Sequence, residues 1–306
     1  MQPVRFFTII PPSCRNEVSC SGGIPGLRVK VRLEKSRWLL VNDRDMDYLG
    51  LAQRTFVIVG GTTGLGFSAA RALINNGARV GVCGRSEESV AHALEALGEN
   101  AVGLNLDAAE PGEVEKLIDA TCDEFGELHG MYHVAGGSGR GAGDGPLHEL
   151  SDEGWDYTIR QNLTSVMASN RAAVRRFRSQ KSGGAILNMG SVLGFSPSPQ
   201  HFSSHAYAAA KAGIEGFSRS LASFYAKEDI RVNVVAPALV ETPMSKRARE
   251  NESIMEFVER KQPLDGGRIA TPEDLDGAVL CLLGEAGRFM TGQVLHVDGG
   301  WGVTEA

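Results

Sequence analysis

A tyrosine and a lysine stand four positions apart in the segment SSHAYAAAKAG, residues 203–213. In an α-helix, residues i and i+4 project from the same face, so Tyr207 and Lys211 are predicted to stand side by side. A phenol with a pKa near 10 is a poor proton-transfer group at neutral pH, but a neighbouring ammonium stabilises its anion. The pair therefore suggests acid–base chemistry, and a solvated surface pair is the alternative until other elements place it.

The composition is that of an ordinary globular protein. The chain has 306 residues, of which 42% are apolar and 22% charged, so it can bury a sizeable core. No apolar run reaches the roughly 18 residues that a membrane-spanning helix needs. The five cysteines show no paired spacing. This favours free thiols in a reducing compartment, the cytoplasm, and gives no support to a metal site.

Charge separates the first 45 residues from the rest. Residues 1–45 carry eight Lys/Arg against four Asp/Glu, whereas the whole chain has a net charge of −6. The acidic body argues against nucleic acid as the main partner. We interpret residues 1–45 as an N-terminal extension, either upstream of a true start at Met46 or a flexible tail. A targeting peptide is a further alternative.

Short apolar runs alternate with longer helical patterns from residue 55 onward. The runs do not alternate cleanly between apolar and polar residues, which is typical of parallel strands covered by helices on both faces. Repeated strand–helix–strand units predict an α/β fold, a single Rossmann-like doubly wound parallel sheet of about seven strands flanked by helices, in one domain over residues 46–306. The predicted strands are 55–59, 79–83, 101–106, 131–135, 185–189, 231–236 and 293–297. The predicted helices are about 64–76, 87–97, 111–125, 152–178, 204–227 and 272–284.

The first predicted strand ends in the glycine-rich segment VGGTTGLGF. Gly60, Gly64 and Gly66 lie where the strand turns into a helix. Glycine there permits a tight turn, a close approach of phosphate to the backbone, and close packing of helix on sheet. The helix N-terminus adds free N–H groups and a positive dipole end, which suit a pyrophosphate. Because the turn opens the first unit of a repeating series, we predict dinucleotide binding.

The end of the second predicted strand indicates which dinucleotide is bound. An acidic residue there would bind the ribose hydroxyls of NAD and repel the 2′-phosphate of NADP. At the strand end this chain has Cys83 and Gly84, neither of which is acidic, and Arg85 and Ser86 follow. NADP(H) is therefore favoured over NAD(H), and a solvated loop arginine is the alternative.

Further motifs follow in a fixed order. They are Asp107 after the third strand, HVAG at 133–136, Asn162 in RQNL, Ser191 in NMGS, NVVAPALVET at 233–242 and VLHVDGG at 294–300. Together with the glycine turn and YAAAK, they resemble the short-chain dehydrogenase/reductase family, and the resemblance covers the chain from Met46 to its end.

The resemblance implies a catalytic set of four residues. Tyr207 would donate the proton to a substrate carbonyl, or accept it in the reverse reaction. Lys211 would bind the nicotinamide ribose and lower the pKa of the tyrosine. Ser191 would hold the carbonyl oxygen, and Asn162 would fix a water that links Lys211 to bulk solvent.

The resemblance also implies a cofactor-binding set. Asp107 would contact the adenine, and Val240 and Thr242 the carboxamide of the nicotinamide. The full implied set is Gly60, Thr62, Gly64, Leu65, Gly66, Arg85, Asp107, Ala135, Gly136, Tyr207, Lys211, Pro237, Val240 and Thr242.

The chain departs from the family's pattern in three places. The usual Asn-Asn-Ala-Gly is His133-Val134-Ala-Gly, and we interpret His133 as a core histidine with satisfied hydrogen bonds. The usual Pro-Gly is Pro237-Ala238. Ser191 precedes Tyr207 by more residues than usual, which predicts an enlarged loop over the substrate.

The implied activity is the reversible reduction of a carbonyl to a secondary alcohol. The 3-oxoacyl-(acyl-carrier-protein) reductases are the closest reading, with a sugar, polyol or small-alcohol dehydrogenase as the alternative. A cofactor-binding regulator without catalysis is a second alternative. The expected partners are a small carbonyl or alcohol substrate, free or bound to a carrier protein, and further copies of the chain in a homotetramer or homodimer.

Three segments would choose the substrate. They are the glycine-rich loop 136–145, the loop after Ser191, and residues 238–265, which we predict to form a lid. A basic stripe could dock an acidic carrier protein, with a solvated helix face as the alternative. The stripe comprises Arg171, Arg175, Arg176, Arg178 and Lys181.

Overall fold

A computed structural model gives the fold, and it describes residues 28–33, 37–42 and 47–305. The chain divides into the units Met1–Tyr48 and Leu49–Ala306. In the first unit, β1 (Arg28–Leu33) and β2 (Arg37–Asn42) pair antiparallel. The other residues of the predicted N-terminal extension lie outside the described residues, so its origin stays a prediction.

The second unit contains one parallel sheet of seven strands. The strands are β3 (Thr55–Val59), β4 (Arg79–Gly84), β5 (Ala101–Asn105), β6 (Leu128–His133), β7 (Gly184–Met189), β8 (Ile230–Pro237) and β9 (Val294–Val297). Their order is β5-β4-β3-β6-β7-β8-β9, and every neighbouring pair is parallel. The predicted doubly wound sheet is confirmed.

Helices lie between the strands, mostly where the sequence predicts them. They are α1 (Gly64–Asn75), α2 (Glu87–Leu97), α3 (Glu113–Phe125), α4 (Asp152–Ile159), α5 (Ser165–Gln180), α6 (His205–Tyr225), α7 (Lys246–Arg249), α8 (Glu252–Lys261) and α9 (Asp276–Leu283). Helix α9 follows a 3₁₀ turn, Pro272–Leu275, whose N-cap is Thr271. Helices α7 and α8 lie in the predicted lid.

Two predicted elements differ from the structure. The helix predicted over 152–178 is interrupted by a π-helical turn, Arg160–Thr164, between α4 and α5. Strand β6 begins three residues before the predicted start, because His129 and Gly130 obscure its apolar pattern. The His129 ring nevertheless serves the sheet, since its Nδ1 accepts a hydrogen bond from Thr55 N at 3.0 Å.

The sheet is buried on both faces. Successive residues of β3 point to opposite sides, so Phe56 and Ile58 pack in one apolar cluster with α1 and α9, while Val57 and Val59 pack in another with α3 and α5. These clusters explain why the strands read as continuous apolar runs. The carboxyl ends of the strands meet at one edge, where ligands bind in open α/β sheets.

Candidate active site

One cavity of about 1090 Å³ lies at this edge and collects nearly all of the predicted site residues. Those on its wall are Gly60, Thr62, Gly64, Leu65, Arg85, Asp107, Ala135, Gly136, Asn162, Ser191, Tyr207, Lys211, Pro237, Val240 and Thr242. Gly66 alone of the predicted set is absent from the wall. The structure thus brings the catalytic and cofactor sets together, while their individual roles stay predictions.

The glycine-rich turn has the shape of a phosphate cradle. Gly60 has a φ of +89°, and a Cβ there would come within 2.7 Å of Ala135 N. Gly66 lies beneath the turn, where a Cβ would overlap the carbonyl oxygen of Gly60. Its role is therefore to let α1 approach the strand. Thr63 makes no side-chain cap hydrogen bond at the start of α1, and the first residues of this helix, Gly64 and Leu65, line the cavity. These residues fit a dinucleotide.

The end of β4 supplies the other groups of the cofactor side. Arg85 is exposed on the cavity wall, and its Nη1 lies 3.4 Å from Oε1 of Gln161. Ser86 caps α2 by accepting a hydrogen bond from Ser89 N at 3.3 Å. Asp107, after β5, accepts a hydrogen bond from Ala109 N at 2.9 Å, which holds its carboxylate in place at the wall.

Lys211 is a buried amine next to the tyrosine. Its Nζ donates a hydrogen bond to Met189 O at 2.8 Å and lies 5.4 Å from the centre of the Tyr207 ring. Helix α6 carries both residues, as the i, i+4 spacing predicts. Burial lowers the pKa of Lys211 to about 7, because charge is costly to remove from water.

Burial is the main influence on the acidity of Tyr207. It raises the pKa of Tyr207 to about 12, because it disfavours the phenolate, and a hydrogen bond with Ser191 opposes the rise. The lowering of this pKa by Lys211, which the family resemblance implies, stays a prediction.

Ser191 lies after a strand end, whereas Asn162 lies within a helical turn. Ser191 follows β7 and caps the 3₁₀ turn Val192–Gly194, accepting a hydrogen bond from Leu193 N at 3.2 Å. The buried Asn162 lies in the π-helical turn. Its side chain donates to Gly137 O at 2.9 Å and accepts from Gly137 N at 3.2 Å. It clamps the glycine-rich loop, and the water-fixing role stays a prediction.

His133 is a core residue, as interpreted from the sequence. Its Nδ1 lies 2.9 Å from Ser169 Oγ and its Nε2 3.1 Å from Ala135 O. Burial lowers its pKa to about 3, so the ring is neutral at physiological pH. Its hydrogen bonds fix the segment that leads from β6 into the cavity.

Sequence reasoning missed several residues of the site. Asp144 is buried, and its carboxylate accepts hydrogen bonds from the N–H groups of Ala206 and Tyr207 at the start of α6, at 3.0 Å each. Arg140, Arg247 and Trp301 line the cavity from a loop, the lid and the C-terminal segment. These three residues lie far from one another in sequence and outside any motif. Of the residues that were missed, Asp144 alone had a sequence signal, because it is an acidic residue within a glycine-rich loop.

The predicted basic stripe on α5 is largely neutralised. Arg175 lies 3.9 Å from Glu115 and Arg178 2.9 Å from Glu228. Arg176 pairs with Asp119. These acidic partners favour the reading of a solvated helix face over a docking surface for an acidic protein.

The chain matches a family model and many characterised proteins. The model described as Enoyl-(Acyl carrier protein) reductase matches residues 59–302. A cis-4-hydroxycyclohexanecarboxylate dehydrogenase of Sinomonas cyclohexanicum is 35% identical over 82% of this chain and 97% of its own length. A 3-oxoacyl-(acyl-carrier-protein) reductase of Vibrio cholerae is 30% identical over 82% of this chain and 98% of its own length.

Solved structures agree with these matches. A short-chain dehydrogenase/reductase from Mycobacterium ulcerans superposes with a TM-score of 0.77 at 28% identity, over 84% of this chain and 93% of that one. In the part of the chain that the structure describes, no helix is both long and apolar enough to span a membrane. The fold, the cavity and the matches show that the chain belongs to the short-chain dehydrogenase/reductase family, oxidoreductases that interconvert alcohols and carbonyl compounds with NAD(P).

Proposed function

We propose that this enzyme uses NADPH to reduce a carbonyl compound to a secondary alcohol, with Tyr207 as the proton donor. The observation that carries the proposal is that Tyr207, Ser191 and Lys211 share one cavity wall with the glycine-rich turn. When bound, the nicotinamide supplies the hydride that reaches the carbonyl carbon.

The protein's own groups act on the carbonyl oxygen. Ser191 donates a hydrogen bond to that oxygen, and the O–H of Tyr207 transfers its proton as negative charge develops. Because the pKa of Tyr207 is raised to about 12, the phenol is protonated at neutral pH, which is the form that reduction needs. Lys211, held by Met189 O, lies beside the ring and stabilises the phenolate that remains.

The preference for NADP(H) is part of the proposal. Arg85 is placed on the cavity wall after β4, where a 2′-phosphate would be bound. No carboxylate occupies the last positions of β4, and within the described part of the chain the hydrogen bond of the Arg85 side chain is a long one, to Gln161. A charge-assisted bond to a phosphate is available to this guanidinium.

Two substrate classes are supported by different relatives. The 3-oxoacyl-(acyl-carrier-protein) reductases favour a 3-oxoacyl thioester, which we take as the first candidate. The relative named cis-4-hydroxycyclohexanecarboxylate dehydrogenase favours a cyclic hydroxy acid and its ketone, which we take as the second candidate. A sugar or polyol remains a weaker alternative, because apolar residues line much of the cavity beyond Ser191. They include Val192, Leu193, Phe202, Leu239 and Trp301.

The proposed assembly rests on two surface features. Helix α6 exposes a small-residue face at Ala209, Ala212 and Gly216, and β9 is an edge strand. We propose that these surfaces pair further copies of the chain into a homodimer or homotetramer.

The free cysteines Cys83 and Cys122 suit a reducing compartment, and we propose the cytoplasm.

The proposal is tested by NADPH oxidation, with NADH in parallel, against acetoacetyl thioesters, cyclic ketones and sugars. We expect turnover with NADPH that falls by a factor of about 10²–10⁴ in Tyr207→Phe, the range for a lost general acid. Cofactor binding should survive this change. Equal rates in both proteins would remove Tyr207 from the mechanism, and tight NADPH binding without turnover would indicate a regulator.

A further inference from the structure

Two arginines from different elements converge on the wall of the cavity. Arg140 lies in the 3₁₀ turn that the glycine-rich loop forms, and Arg247 lies in α7 of the lid. Both line the cavity, and both Nη2 atoms approach the carbonyl oxygen of His201, at 3.4 Å and 3.5 Å. One carbonyl oxygen therefore satisfies one donor from each of two guanidinium groups, each of which has five N–H donors.

Neither arginine has a carboxylate partner within residues 47–305. The ion pairs formed there engage other arginines, including Arg249 of the same helix, which binds Glu241 at 2.7 Å. The charge of Asp144 acts on Arg140, but both of its carboxylate oxygens already accept backbone hydrogen bonds at the start of α6. Two cations thus face one space in a chain whose net charge is −6.

This arrangement has an electrostatic cost. Arg140 is half-buried, and its pKa is lowered by burial and next by the charge of Arg247, while Asp144 opposes the change. Arg247 is exposed, so the repulsion acts mainly on Arg140, and an anion bound between the two like charges would remove it. A carboxylate or a phosphate, which presents two or more oxygens, is the kind of anion that guanidinium forks bind well.

The wall next to the arginines is apolar. Phe202 follows His201 directly, and its ring packs edge to face against Trp301, with 6.1 Å between the ring centres. Leu193 and Ala248 complete this part of the lining. Between the arginines and Ser191, the cavity therefore offers room for a hydrocarbon body.

We propose that Arg140 and Arg247 bind an anionic group of the substrate, a carboxylate or a phosphate, at the end opposite the reacting carbonyl. The substrate class is then a ketone or 3-oxo compound with an apolar body and a terminal anion. This inference rests on the proposed carbonyl reduction for its chemistry, but the anion site is testable without turnover.

Pairs of matched ketones measure whether the enzyme prefers an anionic substrate to a neutral one, and they identify the anion. One series compares 4-oxocyclohexanecarboxylate with its methyl ester, and the other compares acetoacetyl-4′-phosphopantetheine with acetoacetyl-N-acetylcysteamine. In the wild type, we expect kcat/KM to favour the anionic member of at least one series by tenfold or more. A preference in the first series indicates a carboxylate, and one in the second a phosphate. No preference in either series would overturn the proposal.

Variants assign the preference to the two arginines. Arg140→Gln and Arg247→Gln should each lower kcat/KM for the anionic member by about 10- to 100-fold, the range for one charge-assisted hydrogen bond. The neutral member should change less than twofold. Lys246→Gln is the matched control, since this exposed cation precedes Arg247 in α7 but does not line the cavity. An equal loss in the control, or an equal loss for the neutral member, would refute the assignment.

Calorimetry separates this inference from the proposed function. Cyclohexanecarboxylate, cyclohexanecarboxamide and inorganic phosphate are titrated into the NADPH-loaded protein, and none of them needs to react. Binding of an anion that weakens tenfold in both arginine variants supports the site even if no ketone is reduced. Ketone reduction with no anion preference and no anion binding supports the function and rejects the site. Melting curves verify that each variant is folded.

Discussion

Asp144 caps the helix that carries Tyr207: its Oδ2 accepts a hydrogen bond from the backbone N–H of Tyr207 at 3.0 Å. The other carboxylate oxygen accepts from Ala206 N at the same distance. One side chain of the glycine-rich loop thereby satisfies two N–H groups that a helix start leaves free. It also places a negative charge at the positive end of the helix dipole.

We therefore expect Asp144→Ala to lower both stability and turnover. Loss of a helix cap costs about 0.5–2 kcal/mol, and two buried N–H groups would lose their partner. Urea unfolding measures the free energy, and Asp144→Asn should recover part of it, because its amide oxygen still accepts one bond. Asp156→Ala, which removes an exposed carboxylate from α4, is the control. Equal stability of Asp144→Ala and the control would contradict the capping role.

The buried Lys211 predicts a pH-dependent stability. Its folded pKa of about 7 lies below the 10.5 of the free side chain, so the folded state binds fewer protons. The stability that the uncharged amine contributes is present above pH 10.5 and is lost as the pH falls towards 7. The slope approaches 1.4 kcal/mol per pH unit between these values.

Lys211→Met should remove this slope. The free energy of unfolding is measured in urea at pH 7.5, 8.5 and 9.5 for both proteins. We expect the wild type to gain stability relative to the variant at each step as the pH rises. This window lies below the normal pKa of tyrosine, so Tyr207 does not add to the difference. A difference that stays constant across the window would mean that Lys211 titrates normally in the folded protein.

Arg85 should decide between the two cofactors. In Arg85→Ala, we expect KM for NADPH to rise about tenfold or more, the loss of one charge-assisted bond, and KM for NADH to stay within a factor of two. Arg71→Ala serves as the control, because Arg71 lies on α1, pairs with Glu273 and does not line the cavity. An equal rise for both cofactors would show that Arg85 does not read the 2′-phosphate.

Gly66 should tolerate no side chain. A Cβ at this position would overlap the carbonyl oxygen of Gly60, so Gly66→Ala must push α1 away from the glycine turn. We expect a lower melting temperature and weaker binding of either cofactor. Gly277→Ala is the matched control, because nothing lies within 4 Å of its added Cβ in α9 and alanine favours a helix. Unchanged cofactor affinity in Gly66→Ala would contradict the close-packing role.

Most of the site was predictable because each motif ends a strand. Gly60, Ser191 and Pro237 close the runs of β3, β7 and β8, and parallel strands deliver their last residues to the same edge of a sheet. The order of strands along the chain therefore brings these residues together without knowledge of any side-chain contact. Tyr207 and Lys211 were found because a helix imposes its own spacing.

The rest depends on contacts that local patterns do not encode. Arg140, Asp144 and Arg247 lie in loops or in a short helix. The role of each depends on a contact with a residue that is distant in sequence. The raised pKa of Tyr207 could not be predicted for the same reason. Charge attraction between neighbours is visible in the sequence, whereas burial, which dominates here, is a property of the folded site.

The π-helical turn at Arg160–Thr164 lets one helical stretch hold two different partners. The N–H of Ser165 bonds to the carbonyl of Arg160, five residues back, so this turn accommodates one more residue than an α-helical turn would. By widening, the turn absorbs the extra residue and leaves Ser165 and Ser169 directed at His133. Within the same turn, Asn162 reaches the glycine-rich loop at Gly137. The widened turn thus joins the clamp on the cavity loop to the helix that holds the core histidine.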